Sequence, residues 1–308
     1  LELKENYQYL KTQIGYVPQD DIVHRELTVE QSLYYAAKLR LENRTDKEIY
    51  KKIDEILQSL NIFDKKLDKI YDLSGGQRKR VSIAVELLTD PMILFLDEPT
   101  SPLDPETIEE FLKSIKILAE TGTTVVMVTH KPEDLNYMDS VIFLAEGGHF
   151  VYDGPSHNYT QYFDVNSPVQ VYTKLKKENS SRWIERYKRE HPGKTNSIVD
   201  SSNISHTPSD PFKQFFWLSA RYLRIKTNDK VNSAILVFQA PIIALLICLI
   251  FDQVSQAVPF MITISALWFG TNNAAREIVG ELSIYKRERM FNIQIIPYIF
   301  SKLSVMML

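Results

Sequence analysis

Between Lys230 and Asp252 the sequence contains no charged residue. As a helix, with 1.5 Å of rise per residue, this stretch is about 31 Å long, which matches the roughly 30 Å hydrocarbon core of a bilayer. Gln239 and Pro241 lie inside it. Both are compatible with a span, because neighbouring helices satisfy the groups freed by a kinked backbone. The competing reading is the buried helix of a soluble domain. A second apolar run, Ala257 to Gly270, is short by itself and becomes a span if it continues through Thr271-Asn272-Asn273-Ala274-Ala275. A third begins near Tyr298. Residues 212–308 are therefore expected to start an all-α transmembrane domain, with spans at about 231–251, 256–275 and from 298.

The basic residues give an orientation. Arg221, Arg224, Lys226 and Lys230 precede the first run, and Arg276, Lys286, Arg287 and Arg289 follow the second. The connection Asp252-Gln253-Val254-Ser255-Gln256 has no Lys or Arg. Loops rich in Lys and Arg stay cytoplasmic, so this connection is expected outside and both basic flanks inside. Within the segment 276–297, Ile278, Val279, Leu282 and Tyr285 recur at helical spacing and predict an apolar docking face, with Glu281 on its rim.

The front of the chain has a different chemistry. Thr28 to Leu60 is helical in pattern, and Met92 to Leu96 is an apolar run that fits a buried parallel strand. Pro105 to Glu120 predicts an amphipathic helix with Ile108, Phe111, Leu112 and Ile115 on one face, ended by Gly122. Thr123 to Thr129 reads as a second buried strand. Val141 to Ala145 and His149 to Tyr152 flank Gly147-Gly148 as a hairpin. Alternating strands and helices predict an α/β domain over residues 1–175, with a mainly parallel sheet covered on both faces. Residues 176–211 are polar and read as a linker, helical at Arg182 to Glu190.

A net charge of -3 carries no argument for a nucleic-acid partner. The single cysteine, Cys248, excludes a disulfide framework and a cysteine metal cluster, and is expected to be a small buried hydrophobe. Leu1-Glu2-Leu3-Lys4 is no signal peptide, and Ser304 to Leu308 stops inside an apolar run. The chain is expected to be a fragment cut at both ends.

Chemistry concentrates in three places. Leu73-Ser74-Gly75-Gly76-Gln77 combines a capping serine with glycines that let a ligand approach backbone N–H groups, and a helix start there suits a phosphate. Met92-Ile93-Leu94-Phe95-Leu96-Asp97-Glu98 is an apolar strand ending in two carboxylates, at the strand edge where α/β sheets bind ligands. There Asp97 suits Mg²⁺ and Glu98 suits polarising an attacking water. His130 leaves a strand at the same predicted edge, and Gln19 follows a short strand-like piece at Tyr16-Val17.

The order Gln19, Leu73 to Gln77, Asp97-Glu98, Asp104, His130 resembles the ATP-binding cassette of ABC transporters, a P-loop NTPase-like α/β fold. The resemblance implies ATP and Mg²⁺ as cofactors. It implies a Q-loop glutamine at Gln19, which shares the Mg²⁺ with Asp97, and a signature at Ser74, Gly75, Gly76 and Gln77. It makes Asp97 the Walker B aspartate, Glu98 the catalytic base, Ser101 to Asp104 the D-loop and His130 the switch histidine. In that family two cassettes pair head to tail across the nucleotide. The D-loop departs from the pattern, with Pro102 where the family has glycine. The phosphate loop Gly-x-x-x-x-Gly-Lys-Ser/Thr does not occur in the chain and is expected before Leu1, so the chain alone is not expected to hydrolyse ATP.

Cassette first and permease second is similar to the G-type subfamily with ABC-2-type membrane domains. Ile14 to Asp21, Leu27 to Leu33, Arg276 to Val279 and Ile284 to Arg289 carry that likeness, and Phe212 to Asn228 resembles its elbow helix at the membrane surface. The expectation is an ATP-hydrolysing half-transporter, an exporter, in the plasma membrane with its cassette cytoplasmic. Its expected partners are a second half-transporter, the lipid bilayer and an unidentified substrate, and no nucleic acid. The alternatives are a soluble ABC ATPase acting on nucleic acid or ribosomes, and a non-catalytic membrane scaffold.

Overall fold

The computed structural model describes residues 13–41, 44–101, 103–177, 180–191, 210–251 and 256–307. The expectations placed on Leu1 to Lys4, on Pro102, on the connection 252–255 and on the linker at 192–209 lie outside them. In chain order the elements begin with strand β1 (Ile14–Val17) and helices α1 (Val29–Arg40), α2 (Asp46–Ser59) and α3 (Gly75–Leu87). Strand β2 (Ile93–Asp97), helix α4 (Pro105–Glu120) and strand β3 (Thr124–Val128) follow, then the pair β4 (Ser140–Ala145) and β5 (His149–Pro155). Helices α5 (Tyr159–Phe163), α6 (Pro168–Lys177), α7 (Ser180–Glu190), α8 (Pro211–Asn228), α9 (Lys230–Ile250), α10 (Ala257–Gly280), α11 (Leu282–Glu288) and α12 (Ile295–Met306) complete the chain. They form two compact units, Leu1–Gln19 with Met92–Ile204, and Asp20–Pro91 with Ser205–Leu308.

In the first unit β1, β2 and β3 make a parallel sheet in that order. Val17 pairs with Leu96, and Asp97 with Val128, so all three strands end at one edge. Leu94, Leu96 and Val17 are buried, whereas Tyr16 and Phe95 face outward, following the period of two. The expectation that β3 is buried fails, since Val126 and Val128 are exposed. Among the described residues β3 is an edge strand, and α4 packs against it through the face bearing Phe111, Leu112 and Ile115. The hairpin β4–β5 turns at Gly147 and Gly148, whose φ values of 81° and 76° suit glycine. It carries a second core of Phe143, Val151, Tyr152, Phe163 and Trp183. Trp183 ties α7 to that core, so residues 181–190 of the polar stretch are helical and anchored on the hairpin.

In the second unit the stretch Thr28 to Leu60 is two helices. Thr28 and Thr45 each start one with a capping box, to Gln31 and Glu48. Leu27, Leu33, Ile53, Leu57, Ile70 and Ile83 fill the core between α1, α2 and α3. Leu39, Leu218, Ile293 and Tyr298 form a smaller cluster joining α1, α8 and α12. Among the described residues α9 is the one helix long and apolar enough to cross a membrane, with a mean hydropathy of 2.6. Its side chains are largely uncovered, so Cys248 is exposed rather than buried. Helix α10 runs to Gly280, past the expected end at 275, and α11 follows directly, so the segment 276–297 is mostly helical.

Candidate functional site

Parallel pairing brings the residues after β1, β2 and β3 to one sheet edge. There the two oxygens of the Glu98 carboxylate are held separately. Gln19 donates from Nε2 to Oε2 at 3.1 Å, and His130 Nδ1 lies 3.0 Å from Oε1. Glu98 has φ = 43°, a left-handed conformation uncommon for a residue with a side chain, and its N–H is fixed by the Val128 carbonyl at 2.9 Å. Tyr16 donates to Asp97 Oδ2 at 3.3 Å. Burial, and then the Asp97 charge, raise the Tyr16 pKa, so the phenol stays protonated as a donor. Gln19, Asp97, Glu98 and His130 therefore meet at this edge.

The loop carrying His130 is braced from beneath. Asp134, fully buried, accepts from Thr100 Oγ1 at 2.8 Å and Thr129 Oγ1 at 2.5 Å, while Lys131 Nζ donates to the Thr100 carbonyl at 2.6 Å. These contacts lock the turn after β2 to the turn after β3. Sequence reasoning missed Tyr16 and Asp134, because neither lies in a spacing that marks chemistry. Ser101 donates its N–H to the Glu98 carbonyl at 3.1 Å. Asp104 caps α4, accepting from Thr107 N at 3.0 Å and Thr107 Oγ1 at 2.7 Å. Those two bonds hold its carboxyl below the usual range.

In the other unit Ser74 caps α3, and Gln77 closes a capping box back onto the Ser74 N–H at 3.0 Å. Gly75 and Gly76 are the first residues of the helix. Lys79, two residues beyond Gln77, is fully buried against Asp21 at 3.0 Å. The last turn of α3 carries Glu86, 1% exposed, 3.1 Å from Arg40 of α1 and 3.5 Å from Arg287 of α11. Arg40 also lies over the Phe291 ring at 3.7 Å.

Around that contact lies a buried charged cluster. Arg221 of α8 pairs with Glu288 by two hydrogen bonds, one of them 2.9 Å long. Glu281 meets Lys302 at 2.5 Å and His24 at 3.8 Å. The expected apolar docking face is thus corrected. Ile278, Val279 and Leu282 are exposed, and the contacts are made by Glu281, Arg287, Glu288 and the stacking of Tyr285 on Tyr298 at 4.4 Å. Glu281 is inside the cluster, not on a solvated rim, because α11 turns its charged side toward α1, α3 and α8. Burial, then the Arg221 charge, lowers the His24 pKa to about 4, so His24 is neutral at pH 7. Burial works against ionising Glu288, but Arg221 outweighs it and holds Glu288 at about 2.

These shifts predict acid lability. The unfolded chain protonates His24 near 6.5 and the folded one only near 4, so stability falls as pH drops through that window, by about 1.4 kcal/mol per unit of separation. Glu288 adds a loss between its ordinary 4.5 and about 2. Thermal unfolding of the complete protein from pH 7.5 to 4.5 measures the first loss. In the His24→Gln variant the slope above pH 4.5 should shrink, and an unchanged slope would assign it elsewhere.

Residues 2–101 match the family model described as ABC transporter. The chain is 30% identical over 319 residues to the ABC transporter ATP-binding/permease protein Rv1747 of Mycobacterium tuberculosis, covering 97% of this chain and 36% of that protein. It is 38% identical over 167 residues to ABC transporter G family member 28 of Arabidopsis thaliana, covering 52% of this chain and 15% of the relative. It is 34% identical over 229 residues to the broad substrate specificity ATP-binding cassette transporter ABCG2 of Sus scrofa, covering 66% and 35%. The chain spans about a third or less of the length of these relatives. It carries an ABC transporter ATP-binding cassette, and its relatives include ABC transporters of the G family.

Proposed function

We propose that this chain belongs to an ATP-hydrolysing cassette joined to spans of an ABC-2-type permease, part of a G-type half-transporter that exports its substrate. The observation that carries the proposal is the Glu98 carboxylate, held at both oxygens by Gln19 and His130 at the ligand-binding edge of a parallel sheet. The Gln19 hydrogen bond and the His130 contact fix the direction in which Glu98 presents a lone pair, as a general base requires. Glu98 takes the proton of the attacking water, and His130 and Gln19 keep its orientation. Gln19 and Asp97 are the residues that would hold Mg²⁺. Among the described residues no group of three or more His, Cys, Asp or Glu makes a closed metal site. When bound, ATP with its ion supplies the transferable phosphoryl group and neutralises its charge. Ser74 to Gln77 and the Ser101–Asp104 turn face the nucleotide from the second half-transporter in the paired assembly.

Segment 276–297 is the proposed coupling element, and Arg287 on Glu86 is the contact that links α11 to the signature helix. A Cys248→Ser, Ser265→Cys background allows a fluorescent label on α10 of the complete protein. Adding Arg287→Gln should leave ATPase activity within about twofold yet abolish the ATP-driven label response, as expected when one polar contact is removed. A response equal to that of the parent would remove Arg287 from the coupling path.

Membrane topology is a separate test. Single cysteines at Ser255 and Ser283 in the Cys248→Ser background report the two sides of the membrane. An impermeant thiol reagent on intact cells should label the first and spare the second, and the reverse pattern would invert the proposed orientation.

A further inference from the structure

A cavity of about 390 Å³ opens between the 23–26 loop, the end of α8 and the adjoining ends of α9 and α10. Its volume is that of a small-ligand pocket. Its lining is charged in both senses. Lys226 is neutralised by Glu277, and Glu281 by Lys302. That leaves two guanidiniums, Arg25 and Arg276, with no acidic partner among the described residues, and two carboxylates, Glu26 and Asp229, with no basic one. Asp229 accepts only amide N–H groups, from Asn232 N at 3.2 Å and Asn232 Nδ2 at 2.6 Å. A purely anionic ligand would satisfy the arginines and repel the carboxylates, and a cation would do the reverse. A zwitterion matches both.

The cavity sits where the basic flank of the two apolar helices begins. Ile235, Leu236 and Gln239 carry its wall up α9 into the apolar stretch. We propose that it binds a zwitterionic phospholipid of the cytoplasmic leaflet with a primary ammonium, a phosphatidylethanolamine-type headgroup, an inference resting on the membrane reading of α9 and α10. The phosphate lies between Arg25 and Arg276, where guanidinium forks match its oxygens. The ammonium donates its N–H groups to Glu26 and Asp229, which a trimethylated headgroup cannot do. The acyl chains then extend along the Ile235 and Leu236 wall of α9.

The test uses the complete protein, delipidated in detergent and supplied with dioleoyl phosphatidylethanolamine, phosphatidylglycerol or phosphatidylcholine, with retained lipid counted by native mass spectrometry. The ethanolamine lipid should be retained about tenfold more tightly than either other lipid. Arg25→Ala with Arg276→Ala should erase that preference, and Glu26→Gln should shift it toward phosphatidylglycerol. Arg25 and Arg276 are exposed, so the double variant should fold, and a monodisperse elution profile checks this. Equal retention of the three lipids, or a preference unchanged in the variants, would overturn the site while leaving the spans in the membrane. Full displacement by equimolar O-phosphoethanolamine would give the cavity to a soluble phosphate ester and overturn the lipid assignment. If the membrane reading itself fails, the signature differs: the protein stays monodisperse without detergent and retains no lipid, and the site falls with it.

Discussion

In the complete protein, Glu98→Gln should slow Mg²⁺-dependent phosphate release by about 10²- to 10⁴-fold, the usual worth of a positioned general base. ATP binding should survive. The amide keeps the size of the carboxylate, and its carbonyl oxygen can still accept the hydrogen bond from Gln19. It loses the ability to take a proton from water. Turnover and nucleotide binding measured on the same preparation separate the two effects. Near-wild-type turnover would remove Glu98 from the base role, and loss of binding would mean that the edge had collapsed.

Glu288→Ala should be among the most destabilising changes in the chain. Arg221 and Glu288 are 5% and 7% exposed at their side chains, and removing the carboxylate leaves a guanidinium in a dry site. Breaking one side of such a pair costs about 3–5 kcal/mol, a large part of the 5–15 kcal/mol that holds a typical domain together. Replacing both residues by leucine removes the stranded charge and should recover most of the loss. Thermal unfolding and folded yield of the complete protein provide the readout. An unchanged midpoint in the single variant would show that water reaches the pair.

Much of this architecture was legible in the sequence because it depends on local patterns. Pro105 and Asp104 mark the start of α4, and Gly147-Gly148 the hairpin turn. The carboxylates after β2 predict a site because strand periodicity fixes where they emerge. What stayed hidden depends on long-range packing. A β-branched run cannot say how many of its faces are covered, so β3 read as buried. Helical spacing in 276–297 made Ile278, Val279 and Leu282 look like the docking face, yet the buried side carries Glu281, Arg287 and Glu288. Charged residues read as solvent-facing until their partners are known, and those partners lie far along the chain at Glu86, Arg221, His24 and Lys302. Tyr16 and Asp134 escaped notice because neither lies in a spacing that marks chemistry.

The central claim is that hydrolysis at Glu98 drives the helices that follow the cassette. It is tested most directly by following the label at Ser265→Cys on α10 of the complete protein in lipid nanodiscs during ATP turnover. With Glu98 intact the signal should change on ATP addition and return once the nucleotide is consumed. With Glu98→Gln it should change once and stay, because ATP is bound but not cleaved. A signal indifferent to ATP in protein that hydrolyses it normally would contradict the account.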